Sequence, residues 1–101
     1  MHTCPIAQTL EELSKKWMLL ILHDLQTHSR RRFTQLIIDY PELSSKTLAV
    51  RLVDLEKMGL ICRTKFRETP PRVEYSLSEK GRELIGCFEY LETWVQKYKM
   101  G

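Results

Sequence analysis

Leu43-Ser44-Ser45-Lys46-Thr47-Leu48-Ala49-Val50-Arg51-Leu52-Val53-Asp54-Leu55-Glu56-Lys57-Met58-Gly59 is the stretch whose pattern decides the fold. Ser44 is a good helix cap, because its side-chain oxygen can accept from a free backbone N–H one turn in. Leu43 before it and Leu48 after it have the spacing of a hydrophobic staple. The pattern predicts a helix from Ser45 to about Met58. Gly59 suits the left-handed position beyond its C-terminus. At about 3.6 residues per turn, Leu48, Leu52 and Leu55 fall in one narrow stripe. Lys46, Val50, Asp54 and Lys57 lie roughly opposite, with Thr47 and Arg51 flanking the exposed side. The leucines anchor the helix; the other face is left for solvent or a partner.

Upstream, the chain reads as three shorter helices. Pro5 sits where a first helical residue tolerates proline, with Thr3 or Cys4 as cap. Ile6, Leu10 and Leu13 then recur at helical spacing. Trp17, Leu20, Ile21 and Leu25 continue as a second, strongly apolar helix, broken at His28-Ser29-Arg30. Phe33, Leu36 and Ile37 mark a short third helix. It must stop near Asp39, because Pro41 pushes Tyr40 out of helical geometry.

Downstream, the period changes from helical to alternating. Cys62, Thr64 and Phe66 alternate with Arg63, Lys65 and Arg67. Glu68-Thr69-Pro70-Pro71 forms a turn, and Val73, Tyr75 and Leu77 alternate with Glu74 and Ser76. Two such runs around a turn predict a β-hairpin. Ser78 then caps a final long helix ending near Lys99, about 30 Å if straight. The expected fold is mainly α with a small β-hairpin: a winged helix-turn-helix, residues 1–101 forming a single domain with terminal helices at a dimer interface.

Charge is unevenly distributed. The chain of 101 residues carries a formal net charge of +3. Between Arg30 and Arg72 there are ten bases and five acids, so the middle holds +5 and the flanks −2. A basic middle with near-neutral ends predicts one face for a polyanion; solvated surface lysines and arginines are the other reading. No apolar run is long enough to cross a membrane, and the N-terminus lacks a signal-peptide pattern. The expectation is a cytoplasmic protein. Cys4, Cys62 and Cys87 are an odd number at wide spacing and form no metal-ligand pattern with His2, His23 or His28. Neither a disulfide scaffold nor a metal or other cofactor is expected.

In a helix-turn-helix the N-terminal half of the second helix enters the major groove. Ser45, Lys46, Thr47, Val50 and Arg51 are therefore the base- and phosphate-facing candidates. Arginine can grip guanine through two hydrogen bonds, serine and threonine can bond bases or phosphates, and an outward valine can meet a thymine methyl. Val50 is equally readable as a tolerated surface residue, and Arg51 as the ion-pair partner of Asp54. In the hairpin, Arg63, Lys65, Arg67 and Arg72 can clamp phosphate or enter the minor groove; charge protecting an edge strand is the alternative. Arg30, Arg31 and Arg32 fit either phosphate contact or a solvated loop.

The final helix places Leu84, Phe88, Leu91, Trp94, Val95 and Tyr98 on one apolar stripe, widened by Cys87. Ile6 and Leu10 add apolar surface at the other end of the chain. Both ends are expected to form a homodimer interface, although packing against the second helix must use some of these residues. A homodimer would set two recognition helices about 34–36 Å apart on a palindrome.

The chain resembles the HxlR-type winged-helix regulators. The resemblance rests on Cys4-Pro5, Lys16-Trp17-Met18-Leu19-Leu20-Ile21-Leu22, Arg32-Phe33-Thr34-Gln35-Leu36, Leu43-Ser44-Ser45-Lys46-Thr47-Leu48, Arg51-Leu52, Leu55-Glu56 and Gly59-Leu60-Ile61. Its most specific part is Pro70-Pro71-Arg72-Val73-Glu74-Tyr75 followed by Leu77-Ser78-Glu79-Lys80-Gly81, with Trp94 beyond. The resemblance implies a homodimeric bacterial or archaeal regulator of transcription that binds double-stranded operator DNA. It also implies, for some members, sensing of oxidants or electrophiles through a cysteine near the N-terminus, the position of Cys4. Helix N-termini favour thiolate; the other reading of Cys4 is a small apolar or capping residue. Cys62 and Cys87 are expected to be packing residues. The chain departs from the family pattern at Lys15, at His28-Ser29-Arg30 and at Glu42, where the family often has glycine or a glycine–proline pair.

Two other function classes remain. An interaction module could keep the winged helix without reading DNA; acids in place of Lys46, Thr47 and Arg51 would have pointed there. An enzyme is not expected: the chain has no phosphate-binding glycine loop or nucleophile elbow.

Overall fold

The computed structural model describes residues 5–98. Six helices and one hairpin follow in the order α1 (Pro5–Leu13), α2 (Met18–His28), α3 (Phe33–Asp39), α4 (Ser45–Lys57), β1 (Ile61–Phe66), β2 (Arg72–Leu77), α5 (Glu79–Gly86) and α6 (Glu89–Tyr98). The strands pair antiparallel, from Ile61 opposite Leu77 to Phe66 opposite Arg72. This is the winged helix-turn-helix that the pattern predicts.

The helix-turn-helix is held as its residues dictate. Ser44 accepts from the Thr47 N–H at 3.1 Å. Leu48, Leu52 and Leu55 are buried, and Gly59 closes the helix at φ +76°. Burying each such leucine contributes about 1.5–3 kcal/mol. The stripe joins Ile21, Leu22, Leu25, Leu36, Leu43, Leu60, Ile61, Leu77 and Ile85 in one continuous core. Ser78 accepts from the Gly81 N–H at 2.9 Å while donating to the Gly59 carbonyl at 2.6 Å. It thereby starts α5 and ties it to the end of α4. Gly81 lies against the same connection so closely that a Cβ there would stand 2.0 Å from the Leu60 carbonyl oxygen.

Three expectations need correction. Trp17 is not the first residue of α2 but its N-cap, with φ +78°; its carbonyl accepts the first helical bond, from Ile21. The final long helix is two helices. At Cys87 and Phe88 the bonds tighten to i→i−3, reaching Leu84 and Ile85. Gly86, which costs about 1 kcal/mol relative to alanine inside a helix, stands at that break. The rod of about 30 Å therefore becomes segments of about 12 and 15 Å. Finally, Cys62 and Cys87 are exposed rather than packed.

The segment before α3 adds an unforeseen strand contact. Arg31 and Tyr75 exchange two backbone bonds, of 2.9 and 2.8 Å. The base of the hairpin is thus stitched to the entry of the helix-turn-helix.

Candidate nucleic-acid interface

The outer side of α4 carries Ser45, Lys46, Ala49, Val50, Val53 and Lys57, all exposed. Val50 and Val53 are each 47% exposed, so two aliphatic side chains face solvent between two lysines. Val53 is a candidate that the sequence reading missed. Its place opposite the leucine stripe follows from helical spacing and was available in the sequence. Thr47 is half-buried at the cap, where its hydroxyl accepts from Ser44 at 2.9 Å.

Arg51 sits differently from its neighbours. It is half-buried, and its Nε donates to the Lys16 carbonyl at 2.8 Å. Its Nη1 lies 3.4 Å from Asp54. The guanidinium therefore fastens α4 to the link between α1 and α2, where the left-handed turn at Trp17 follows Lys16. The pair with Asp54, the alternative reading of Arg51, is present; the carbonyl partner, thirty-five residues away, is a tertiary contact with no local sequence signal.

On the hairpin, Arg63, Lys65 and Arg67 are exposed. Arg63 and Lys65 alternate along β1 on one face, with Arg67 just beyond in the turn. Arg72 instead holds the tip together: its guanidinium lies 4.3 Å above the Phe66 ring, 3.1 Å from Glu68 and 3.3 Å from Glu74. Of the nine residues expected to face DNA, Ser45, Lys46, Val50, Arg63, Lys65 and Arg67 stand free. Thr47, Arg51 and Arg72 are engaged within the chain.

The three arginines before α3 divide. Arg30 is open to solvent, 3.8 Å from Glu74, and Arg32 is exposed. Arg31 is neither a solvated nor a phosphate-facing residue but is buried. Its Nε donates to Asp24 at 2.9 Å, and its Nη2 donates to Asp39. Asp24 is itself buried on α2 and also accepts from the Tyr40 hydroxyl at 2.8 Å. Burial works against the Arg31 charge, but its bonds to Asp39 and Asp24 outweigh it and hold the pKa above its ordinary value. Burial, followed by the bond to Asp24, pushes the Tyr40 hydroxyl up to about 12. A group whose folded pKa is raised stabilises the fold below its unfolded pKa and loses that contribution as pH climbs to the folded one. Tyr40 therefore supports the fold up to about pH 10 and progressively less toward about 12. Urea titrations from pH 9 upward should show wild type losing more stability over that window than Tyr40→Phe. Parallel losses in the two proteins would exclude this role.

The expected dimer residues also separate. Leu84 and Phe88 pack against the protomer's own core, and Val95 is half-buried. Ile6, Leu10, Leu91, Trp94 and Tyr98 are exposed, and α6 contains no buried residue. Tyr90, at 85% exposure, joins them. His23 has a partner that its sequence context did not reveal, Glu92 of α6 at 3.0 Å. Cys4 lies outside the described residues. Among the described residues there is no metal-ligand cluster and no helix long and apolar enough to cross a membrane.

Comparisons with known proteins agree with this geometry. The family model for HxlR-like helix-turn-helix matches residues 12–101. The HTH-type transcriptional regulator sll1512 of Synechocystis sp. is 46% identical over 100 residues, covering 95% of this chain and 73% of that protein. The crystal structure of the HTH-type transcriptional regulator ytcD superposes with a TM-score of 0.86 at 36% identity, covering 95% of this chain and 97% of the other. The reduced form of the transcriptional regulator YodB from B. subtilis gives 0.82 at 34% identity, covering 96% and 95%. YodB has also been solved after diamide treatment.

Proposed function

The chain belongs to the HxlR-like helix-turn-helix family of transcriptional regulators, and we propose that it acts as a homodimer reading a palindromic operator in double-stranded DNA. The observation that carries this reading is the outer face of α4. Ser45, Lys46 and Val50 are exposed in the groove-entering half of the second helix, with Val53 following on the same outer side, beside a hairpin whose Arg63, Lys65 and Arg67 are also free. Aliphatic side chains between lysines on an outward face suit base edges flanked by phosphates. The dimer reading is supported by the α6 stripe of Leu91, Trp94 and Tyr98 together with Ile6 and Leu10 of α1, all left uncovered in the protomer. On α6 the three side chains repeat at helical spacing and share one face, and an exposed apolar face of this kind marks an interaction site.

The test is to incubate the protein with random duplexes at several salt concentrations and sequence what is retained. An inverted repeat with half-sites about one DNA turn apart, bound less tightly as salt rises, is the expected result. A retained pool without sequence preference, bound weakly even at low salt, would overturn the reading in favour of an interaction module.

Redox control through Cys4 is a further element of the proposal, supported by the likeness to the regulator YodB, which has been solved in reduced and diamide-treated forms. Repeating the selection with diamide-treated protein should change retention in wild type and not in Cys4→Ser. Equal retention before and after treatment removes the redox element and leaves DNA reading intact.

A further inference from the structure

We infer that the cluster Asp24–Arg31–Asp39–Tyr40, built around the buried Asp24–Arg31 pair, is a positioning device that sets the recognition helix and the wing at one fixed angle, and so determines how sharply DNA sequence is discriminated. This rests on the DNA-reading function proposed above.

The cluster joins every part that must be aligned. Asp24 belongs to α2, whose Ile21, Leu22 and Leu25 lie in the core. Arg31 contributes its guanidinium to Asp24 and Asp39, while its backbone is paired with Tyr75 of β2. Asp39 is the last residue of α3. Tyr40 opens the turn that leads to α4, and its hydroxyl is fixed to Asp24. The turn is short: Leu43 N–H bonds back to the Tyr40 carbonyl at 2.9 Å, and Ser44 already caps α4. A pivot at Tyr40 therefore passes directly to the groove-facing end of the helix. The hairpin shares the same pivot through Arg31.

An apolar contact resists separation but allows sliding, whereas directional bonds to one buried carboxylate specify an orientation. Asp24 accepts from Arg31 on both oxygens, at 2.9 and 3.5 Å, and from Tyr40 on one of them. Loosening this joint leaves Lys46, Arg63, Lys65 and Arg67 in place for phosphates. It blurs the placement of Val50 and Val53 against base edges, where shifts of an ångström matter. The consequence is loss of discrimination with non-specific attachment retained.

Tyr40→Phe removes one hydroxyl and keeps the ring, so it isolates this joint. Ile85→Val trims the core in α5, away from the cluster, and controls for simple destabilisation. For wild type and both variants, affinity is measured for the duplex selected by wild type and for a random-sequence duplex, at a temperature where all three are folded by circular dichroism. The ratio of the two affinities is expected to fall about tenfold in Tyr40→Phe, the scale of one mismatched base pair. Random-duplex affinity should be unchanged, and Ile85→Val should keep the wild-type ratio. A Tyr40→Phe ratio within about twofold of a discriminating wild type, or an equal fall in Ile85→Val, overturns the inference and leaves the DNA-reading function standing. A wild-type chain that shows no discrimination overturns that function, and the inference with it.

Discussion

Arg31→Ala is expected to destabilise the fold by about 3–5 kcal/mol, the usual cost of removing one partner from a buried ion pair. Arg31 and Asp24 are both buried, and the arginine provides two of the three bonds on the aspartate. Without the guanidinium, a carboxylate would stay in the core with only the Tyr40 hydroxyl bonded to it and the half-exposed His28 ring 3.7 Å away. Packing around Ile21 and Leu25 must then open, either to admit water or to release the carboxylate. A domain of this size is stable by only about 5–15 kcal/mol, so the loss is a large fraction of the whole. Thermal unfolding followed by circular dichroism should show a midpoint lowered by more than about 10 °C. Arg32→Ala, one residue along and exposed, should stay within about 0.5 kcal/mol of wild type. Equal losses in the two variants would show that Arg31 does not hold the core together.

Leu91→Glu combined with Trp94→Glu is expected to separate the proposed dimer without unfolding the protomer. Both side chains lie on α6, which has no buried residue, so the change costs the protomer little. In a dimer the same residues would carry two carboxylates each into an apolar contact with no compensating charge. Sedimentation should give a mass near 12.0 kDa for the variant and twice that for wild type. Operator affinity should fall by about 100-fold or more, because the second half-site no longer benefits from linkage to the first. A variant that sediments as wild type would place the interface elsewhere.

The helix-turn-helix was legible because its determinants are local. Ser44, the leucine stripe and Gly59 specify where α4 begins, which side it buries and where it ends. The hairpin was legible for the same reason, from alternation around Pro70-Pro71. The break between α5 and α6 was harder to see, because the apolar stripe runs through it; Gly86 was the signal. Arg31 was misread because three consecutive arginines look like a solvated loop. The cue lay elsewhere: Asp24 follows Ile21 by three residues on the most apolar helix, and a carboxylate there requires a buried partner. Nothing local tells which arginine that is. The alternation of Arg30 out, Arg31 in and Arg32 out comes from the short pairing with Tyr75, a tertiary contact. Arg51 and Arg72 show the same limit. Their residue type suits DNA, and their placement is set by the Lys16 carbonyl in one case and by Phe66, Glu68 and Glu74 in the other. Ser29, where the family often has a glycine or glycine–proline pair, takes φ +67°.

Whether the outer face of α4 reads bases is decided by repeating the duplex selection with Val50→Gln. An aliphatic side chain favours a thymine methyl, whereas glutamine pairs with adenine through two hydrogen bonds. One base pair in each half-site is expected to change preference from thymine toward adenine while the remaining positions and the half-site spacing persist. A motif identical to that of wild type would mean that α4 does not meet base edges at Val50.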